Sequence, residues 1–498
     1  MPPNGDLSDL KSSQDRIFER QLGDSFKAPQ SVINPRRVAL AWAIFRIRHP
    51  LLASRVLATP GNYEKVFFQY YPPSSPSEAE ADAYSSLEIR QEKAEVLIDY
   101  FLNGPRTLSN NRLSYLILSL NGSPTSENEP LQDFDLLICA THFLGDGMAL
   151  HMLANDFFTL LALSEKPISD SELYRLLIKE WETWGESSAD VSIVERDVLP
   201  PTLESRLPKP NSGFQRIAQK LEFYASQDRV LGSQVFPRQG TTNPKPKRHT
   251  IVLTTSFDRC ETIKILAHCK KENVTIGHLL FAICNAAWIK IGKPDERLPM
   301  MMYSALNLRP YIPPSTSDDC SSKIRSLSDS YWFLAVGYFN VVLPSFLARS
   351  VFHRARLVKR QCMAASKSQL LLSRTRCMAN ERSVKAQKYA MIDDDELDVK
   401  MNQVDIRLTK STSESAALLG LSLLGNLDGI YQHDDYHPSV ILNTLTTGSR
   451  QRSGGLLVFG YTFAGKLWLS IGYDKESYNH QVEVWWDEVV KEMMRMIV

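Results

Sequence analysis

The sequence has almost no excess of either charge sign. Lysine and arginine total 57 and the acidic residues total 56, which leaves a formal net charge of +1. Proteins dedicated to nucleic acids usually carry a basic excess, because contacts to phosphates supply much of their affinity. Hydrophobic residues make up 43% and charged residues 23%, as in globular chains. The composition argues against a nucleic-acid binder and excludes a wholly disordered, collagen-like or coiled-coil chain.

Cysteine patterns that would hold a disulfide framework or a zinc ribbon are also missing. The 7 cysteines are odd in number and widely spaced, and no C-x-x-C occurs. Cys139 and Cys284 lie in apolar segments, where a free thiol behaves as a small hydrophobic group. We therefore expect a reducing compartment, the cytoplasm, as the location.

Long apolar runs and nucleotide-binding glycine loops are absent as well. Residues 1–13 lack the apolar core of a secretory signal, and Gly337, Asn340 and Pro344 interrupt the most apolar stretch, residues 331–348. A membrane-spanning helix needs about 20 predominantly apolar residues, so we expect no membrane span. Neither a Walker loop nor a dinucleotide-binding G-x-G-x-x-G opens any helix.

The length of 498 residues exceeds what one hydrophobic core usually serves, so two lobes are expected. Strand and helix patterns are mixed in both halves, which predicts an α/β or α+β fold. The Pro-rich stretch 237–248 is the best boundary, giving lobes at 1–240 and 241–498, with part of the second half crossing back to the first lobe.

Hydrophobic spacing and turn residues predict the individual elements. The predicted strands are 113–120, 134–140, 250–254 and 300–306, with a hairpin formed by 456–462 and 467–473. The predicted helices are 38–49 before Pro50, 148–161, one capped near Ser256, one after Thr275, a long region 349–390 and a last helix 475–497. Residues 72–86 and 121–130, rich in Pro, Ser and acidic side chains, are predicted to be loops.

The most informative stretch is residues 140–147 (ATHFLGDG), between a predicted strand and a predicted helix. Imidazole accepts and returns a proton near neutral pH, so His142 is a candidate acid–base group. Asp146 can orient the loop by pairing with a distant cation, and Gly145 and Gly147 leave room for a ligand near the backbone. A structural reading stays open, because a histidine at a strand end and an Asp-Gly turn are also common packing and capping features.

This stretch resembles the HxxxDG signature of condensation-domain and chloramphenicol-acetyltransferase-like acyltransferases, whose relatives include plant BAHD acyltransferases and fungal trichothecene O-acetyltransferases. Three more runs match the family in order and spacing, namely 48–52 (RHPLL), 305–310 (ALNLRP) and 422–425 (SLLG). The resemblance covers about residues 15–498. It implies a two-lobed chloramphenicol-acetyltransferase-like fold, each lobe a mixed sheet flanked by helices, with a channel between them.

The resemblance also implies roles for individual residues. His142 matches the catalytic histidine, and Asp146 matches a structural aspartate whose expected partner is Arg309. The remaining matches are channel, oxyanion and coenzyme positions: Gly147 and Asn307 at the channel, Ser422 as an oxyanion donor, and Gly145, Lys247 and Arg248 toward coenzyme A. For Lys247 and Arg248, a solvated linker face is the alternative.

The activity implied is acyl transfer, in the first instance acetyl, from coenzyme A to a hydroxyl of a hydrophobic secondary metabolite such as a trichothecene-like terpenoid or a polyketide alcohol. Acyl-coenzyme A is a co-substrate; no permanently bound cofactor or metal and no partner beyond the small molecules are expected, and a monomer suffices. Two alternatives remain: a donor tethered to a carrier protein, and a non-acylating member that binds or cyclises a ligand.

Two departures from the family bear on this choice. Condensation domains usually carry a double histidine, and here the first position is Thr141, which favours a free thioester donor over peptide synthesis. The plant D-F-G-W-G run is missing, and its nearest counterpart, residues 458–461 (VFGY), lacks the acid. The fungal O-acetyltransferases are therefore the nearest branch.

Other candidate sites have simpler explanations. Residues 431–437 (YQHDDYH) hold two histidines and two aspartates, a density that can bind zinc, but Pro438 follows and a solvated loop is favoured. His151 lies in an apolar helix pattern and is expected to be packed in the core. The basic segment 354–388 is expected to be a solvated helix, with steering of an anionic cofactor as the alternative.

Overall fold

The computed structural model describes residues 26–59, 62–120, 131–162, 169–189, 199–228, 234–238, 248–292, 295–312, 330–346, 350–393, 417–436, 439–478 and 480–497. These residues form two sheet-containing lobes flanked by helices, as the sequence predicts. The predicted boundary at residues 240 and 241 and the predicted loop 121–130 lie outside the described residues.

The first lobe is built on a four-stranded sheet with strand order β1-β6-β5-β4. Its strands are β1 (Phe26–Ala28), β4 (Leu87–Arg90), β5 (Ser114–Leu120) and β6 (Gln132–Ala140), and the strands β2 (Arg55–Thr59) and β3 (Asn62–Gln69) form a separate hairpin. β5 and β6 are antiparallel, as predicted, with Ser114 opposite Ala140. This pairing fixes the position of the loop that leaves β6 toward His142.

The second lobe is built on a six-stranded sheet with strand order β7-β12-β11-β10-β8-β9. The strands are β7 (Thr250–Phe257), β8 (Met300–Asn307), β9 (Val336–Leu343), β10 (Leu419–Asn426), β11 (Leu456–Phe463) and β12 (Lys466–Asp474). The predicted hairpin of β11 and β12 is confirmed. Ala464 and Gly465 have φ of +53° and +72°, the backbone sign that tight two-residue hairpin turns require.

Helices cover the sheets of both lobes. Those of the first half are α1 (Pro35–Arg48), α2 (Pro76–Ser85), α3 (Ala94–Asn103), α4 (Gly147–Ala162), α5 (Asp170–Ala189), α6 (Leu203–Arg206) and α7 (Gly213–Asp228). Those of the second half are α8 (Arg259–Lys271), α9 (Ile276–Ile291), α10 (Val351–Ser366), α11 (Leu371–Asp393), α12 (His433–Tyr436) and α13 (Gln481–Met494). The apolar stripe predicted on the last helix is confirmed, since Trp485, Val489 and Met493 are buried.

The chain crosses back from the second lobe to the first after β10. Leu427, Tyr431, Tyr436 and Leu442 are buried in the same apolar cluster as α1 and α4. The backbone of Ile441 also forms hydrogen bonds of 3.0 Å and 2.8 Å with that of Lys27 in β1. The lobes are therefore joined by a packed segment as well as by the facing surfaces of their sheets.

Two of the element predictions are wrong, and two others differ from the structure in their boundaries. Residues 76–85 are helical rather than loop, because Ser75 caps the helix, Pro76 occupies its first turn and Glu78 hydrogen-bonds back to Ser74. α8 is capped by Asp258, in a capping box, and Ser256 still belongs to β7. Residues 349–390 form two helices, and the last helix begins at Gln481 rather than 475.

Candidate active site

His142 lies in a tight turn between β6 and α4. The Thr141 N–H donates to Leu113 O at 2.9 Å, and the Leu144 N–H donates to Thr141 O at 3.0 Å, which closes the turn. Leu144 is fully buried, whereas His142 is exposed in the turn above it. The turn therefore anchors the loop by its backbone and leaves the imidazole in a cavity.

Asp146 holds the start of α4 and binds the second lobe at the same time. Its Oδ1 accepts from the Ala149 N–H at 3.1 Å, and its Oδ2 accepts from the Ala335 N–H at 2.8 Å. Arg309 Nη1 donates to both carboxylate oxygens at 2.9 Å. The Asp146 side chain is 4% exposed and that of Arg309 is 17% exposed. The ion pair expected from the sequence is thus formed across the lobe interface.

Arg309 is in turn held by the chain on its own side of the interface. The second guanidinium nitrogen donates to Tyr331 O at 3.1 Å and to Phe333 O at 2.7 Å. Asn307 Oδ1 accepts from the Arg309 N–H at 3.1 Å, so the asparagine of the N-x-R run orients the arginine. Neither residue is among those that line the cavity around His142. Arg309 instead binds Asp146 of the His142 loop, and Asn307 orients Arg309.

The R-H-P-L-L run of the first lobe contacts the same segment, residues 330–335, through His49. His49 is buried, its Nδ1 lies 2.6 Å from Ser330 Oγ, and its ring centroid lies 4.4 Å from that of Tyr331. Burial, with a smaller contribution from Arg48, lowers the pKa of His49 to about 3, so the ring is neutral at physiological pH. Residues 330–335 therefore contact three of the four sequence runs: the H-x-x-x-D-G run through Asp146, the R-H-P-L-L run through His49 and the N-x-R run through Arg309.

The cavity around His142 has a volume of about 490 Å³ and lies between the lobes. From the first lobe it is lined by His142, Gly145, Asp146 and Gly147, and from the second by Trp332, Ser422 and Leu424, among others. The structure thus brings Ser422 into one cavity with His142. A Cβ on Gly145 would lie 3.2 Å from the Trp332 ring, and one on Gly147 would lie 2.9 Å from Leu424 Cδ2. A side chain at either position would therefore come into close contact with the second lobe.

Three arginines, Arg106, Arg248 and Arg450, come from chain segments that meet at one side of this cavity. Asn103 and Thr250 exchange two hydrogen bonds of 2.9 Å and 2.7 Å, and Thr250 Oγ1 accepts from the Gln451 N–H at 2.9 Å. We call these three arginines the arginine cluster; Arg106 and Arg450 line the cavity itself.

The arginine cluster combines the exposed Arg106 and Arg248 with the partly buried Arg450. Arg450 donates to Phe101 O and Gly104 O at 2.7 Å and 2.9 Å, which fixes its guanidinium beside the loop that carries Arg106. Burial, and then the charges of Arg106 and Arg248, lower the pKa of Arg450. Two carboxylates lie nearby, Asp99 bonded to Asn103 and Asp474 bonded to the His249 N–H. An anion bound here would relieve the repulsion among the arginines.

Comparison with known proteins identifies the fold. A trichothecene 15-O-acetyltransferase from Fusarium sporotrichioides aligns over 95% of this chain and 90% of its own, with 14% identity and a TM-score of 0.68. The EpoB cyclization-docking bidomain of a nonribosomal peptide synthetase from Sorangium cellulosum covers 95% and 79%, with 10% identity and a TM-score of 0.54. The first condensation domain of the CDA synthetase covers 95% and 90%, with 11% identity and a TM-score of 0.52. Neither a protein-family model nor a curated protein sequence matches the chain.

The chain has the two-lobed condensation-domain fold. This confirms the fold class that the sequence predicts, including its likeness to chloramphenicol-acetyltransferase-like proteins. Solved structures with this fold include an acetyltransferase and domains of peptide synthetases.

Of the two basic residues predicted to bind coenzyme A, Lys247 lies outside the described residues and Arg248 belongs to the arginine cluster. His433 is bonded to Asp428 at 3.1 Å, and the Asp428 carboxylate accepts from the backbone N–H groups of Ala464 and Gly465 in the hairpin turn. Among the described residues, no cluster of three or more His, Cys, Asp or Glu side chains could hold a metal ion.

Two more predictions concern cysteines and the basic helices. The described cysteines are free; Cys139 and Cys284 are buried, as predicted, and burial raises the pKa of both thiols. Arg354 is not solvated, because it is 3% exposed and donates to Pro344 O at 3.1 Å. In the part of the chain that the structure describes, no single helix is long and apolar enough to cross a membrane; α8 and α9 pass that test only as a pair bent by 93°.

Sequence reasoning missed Trp332, Arg106 and Arg450, all of which line the cavity. Trp332 lies in an apolar run that predicts burial, but nothing in the run indicates which wall of which cavity it forms. Arg106 and Arg450 are 344 positions apart and carry no local motif. Arg106 and Arg450 line the same cavity only because distant segments of the chain pack together.

Proposed function

We propose that this protein transfers an acyl group from coenzyme A to a hydroxyl group of a hydrophobic small molecule, with His142 as general base. The observation that carries the proposal is the placement of His142 in the interlobe cavity on a loop held by the Asp146–Arg309 pair. An imidazole fixed in this way can meet a hydroxyl within hydrogen-bond reach, and proton transfer at that point contributes about 10²–10⁴-fold to rate.

The proposed chemistry balances without a metal or a covalent enzyme intermediate. A ring nitrogen of His142 takes the hydroxyl proton as the alcohol oxygen attacks the thioester carbonyl carbon. The oxyanion that forms is stabilised by a nearby donor, for which we propose Ser422 Oγ, since preorganised donors are a large catalytic term. When the C–S bond breaks, the leaving thiolate takes the proton from the imidazolium and departs as the free thiol.

The arginine cluster supports a phosphate-bearing donor. Coenzyme A carries a diphosphate and a 3′-phosphate at the end of its pantetheine arm, and guanidinium groups bind phosphate oxygens in a bidentate way. Arg106 and Arg450 line the same cavity as His142, so an arm reaching inward from the cluster leads toward the imidazole. We propose that Arg248, already a candidate from the sequence, acts with them. Because Lys247 precedes Arg248 in the sequence, we propose that the Lys247 side chain also binds the phosphates.

The proposal is tested by calorimetric titration with acetyl-coenzyme A, which needs no knowledge of the acceptor. We expect micromolar binding, about −8 kcal/mol. Arg106→Met and Arg248→Met should each weaken that binding about tenfold or more and make it less sensitive to salt. Binding of S-acetylpantetheine, which lacks the phosphates, should not change in either variant. Arg297→Met is the matched control, because Arg297 is 89% exposed and its side chain pairs with Asp295.

Two outcomes would redirect the proposal. Absence of heat with acetyl-coenzyme A, together with binding of an acyl-phosphopantetheinyl carrier protein, would favour the carrier-tethered donor. Absence of binding to both would contradict acyl transfer and favour a member of the fold that only binds or cyclises a ligand.

Gly147→Ala should narrow the channel. The new methyl group would lie 2.9 Å from Leu424 Cδ2, so the leucine must rotate within the cavity. We expect kcat/KM to fall between about tenfold and 100-fold, since small misplacements of reacting groups have effects of that size. Adding Leu424→Ala should restore most of the rate. Gly213→Ala serves as control, because a Cβ there meets no atom within 4 Å. Full activity of Gly147→Ala alone would contradict the role of this glycine.

A further inference from the structure

A second cavity lies directly beside the His142 cavity. This side cavity has a volume of about 190 Å³ and is enclosed by α3, β6, α4, Tyr431 and residues 442–448. Some of its lining residues also line the His142 cavity, namely Phe101, Ile138, Leu150, Thr447 and Gly448. The two cavities therefore have part of their walls in common. An apolar cavity of about 150 Å³ accommodates benzene, so the side cavity has room for a carbocyclic ring.

The wall of the side cavity is mainly apolar but includes one buried polar pair. His151 is 2% exposed, and its Nδ1 lies 3.0 Å from the hydroxyl of Tyr431, itself 2% exposed. The other ring nitrogen, Nε2, is buried and has no hydrogen-bond partner among the described residues. Burial lowers the pKa of His151 to about 4, so the ring is neutral and offers one donor and one acceptor nitrogen.

A buried polar atom without a partner is unusual in a folded protein. His151 lies in α4, which begins at Gly147 directly after the His142 loop, so both histidines belong to one continuous strand–loop–helix segment. A ligand that fills the two cavities at once would bring its reacting hydroxyl to His142 and place its other end beside His151 and Tyr431.

We propose that the side cavity binds a ring of the acceptor that carries a second oxygen function, with His151 as its hydrogen-bond partner. The substrate class is thus a hydrophobic alcohol with at least two oxygens on linked or fused rings. This inference rests on the proposed function for the identity of the first hydroxyl. The second oxygen supplies specificity, because a site built to pair a polar group binds the analogue lacking it poorly.

The test uses two probes that differ in one oxygen, 4-cyclohexylcyclohexanol and its 4,4′-diol. Binding is measured by calorimetry on the His142→Ala variant, so that no turnover is required. We expect the diol to bind at least tenfold more tightly than the mono-alcohol. The double variant His151→Leu, Tyr431→Phe should remove this preference. It replaces both members of the pair by apolar groups of similar size, which protects the fold better than either single change.

A cavity-filling variant tests the location independently. Ala94 of α3 lines the side cavity and is partly exposed, so Ala94→Phe should weaken binding of both probes at least tenfold. Val96→Phe on the same helix is the matched control, because Val96 is 57% exposed and lines neither cavity.

The outcomes separate this inference from the proposed function. Equal affinity for the two probes, a preference that survives the double variant, or no detectable binding of either probe would overturn the assignment of the side cavity and indicate that it holds only water. A preference that depends on His151 and Tyr431, without acyl transfer to the diol by the wild-type protein from any donor, would keep the binding site and contradict the proposed function.

Discussion

Replacing His142 with alanine is expected to lower kcat for acyl transfer by about 10²–10⁴-fold. The variant lacks the group that we propose takes the hydroxyl proton. In the proposed mechanism, the alcohol and the thioester bind in the cavity beside this imidazole. Because His142 is exposed in its turn while the backbone of that turn is bonded to Leu113, the fold should not change. The melting temperature and the dissociation constant for acetyl-coenzyme A should therefore stay at the wild-type values.

The measurement is steady-state kinetics with acetyl-coenzyme A and the diol probe, alongside thermal melting. His268→Ala is the matched control, since His268 is an exposed histidine on α8 and is not among the residues that line the His142 cavity. An undiminished kcat in His142→Ala would refute the general-base role. A fall in kcat that comes with a lower melting temperature would instead assign His142 a structural part.

Replacing Asp146 with asparagine is expected to destabilise the protein by about 3–5 kcal/mol, the range for breaking a buried ion pair by removing one partner. Asparagine keeps the shape and one oxygen that can accept from the Ala149 N–H, but it loses the negative charge and the second oxygen, which accepts from the Ala335 N–H. The guanidinium of Arg309 is then left mostly buried without its counter-charge. If one lobe unfolds as a unit, the melting temperature should fall by about 6–20 °C, at about 2–4 °C per kcal/mol for a unit of this size.

A double-mutant cycle gives this prediction a sharper form. Arg309→Met should destabilise by a similar amount, whereas Asp146→Asn combined with Arg309→Met should cost clearly less than the sum of the two. Asp133→Asn is the control, because the Lys27–Asp133 pair is 45% and 49% exposed with atoms 3.9 Å apart, and such pairs contribute less than about 1 kcal/mol. Unchanged melting of Asp146→Asn would contradict the structural role of the pair.

The strand, loop and helix around His142 could be predicted from the sequence because their signals are local. An apolar run at 134–140 indicates β6, the helical spacing from Met148 indicates α4, and the glycines between them predict a turn. The pairing of Asp146 with Arg309, 163 positions apart, was expected only through the resemblance of both runs to a known family. The structure confirms the contact; the catalytic role of the loop remains a proposal.

Composition and local capping signals disagree at two helix starts. The serine and acidic residues of 72–86 predict a loop, yet Ser75, Pro76 and Glu78 begin a helix. The hydroxyl of Ser256 predicts a cap, yet Asp258 and Glu261 form the capping box of α8. In both cases the local capping signal is present in the sequence and agrees with the structure.

The sequence by itself determined the mixed two-lobed fold, the turn that presents His142, and the burial of apolar helices such as α13. Only the tertiary structure decided that Arg106, Arg248 and Arg450 meet at one side of the His142 cavity, and that the buried His151 borders a second cavity. Periodicity and capping depend on neighbours within a few residues, so a sequence reveals them directly. Which polar groups share a cavity depends on how distant segments pack. Hydrophobic burial is non-directional, so the sequence of one segment does not indicate which other segment it packs against.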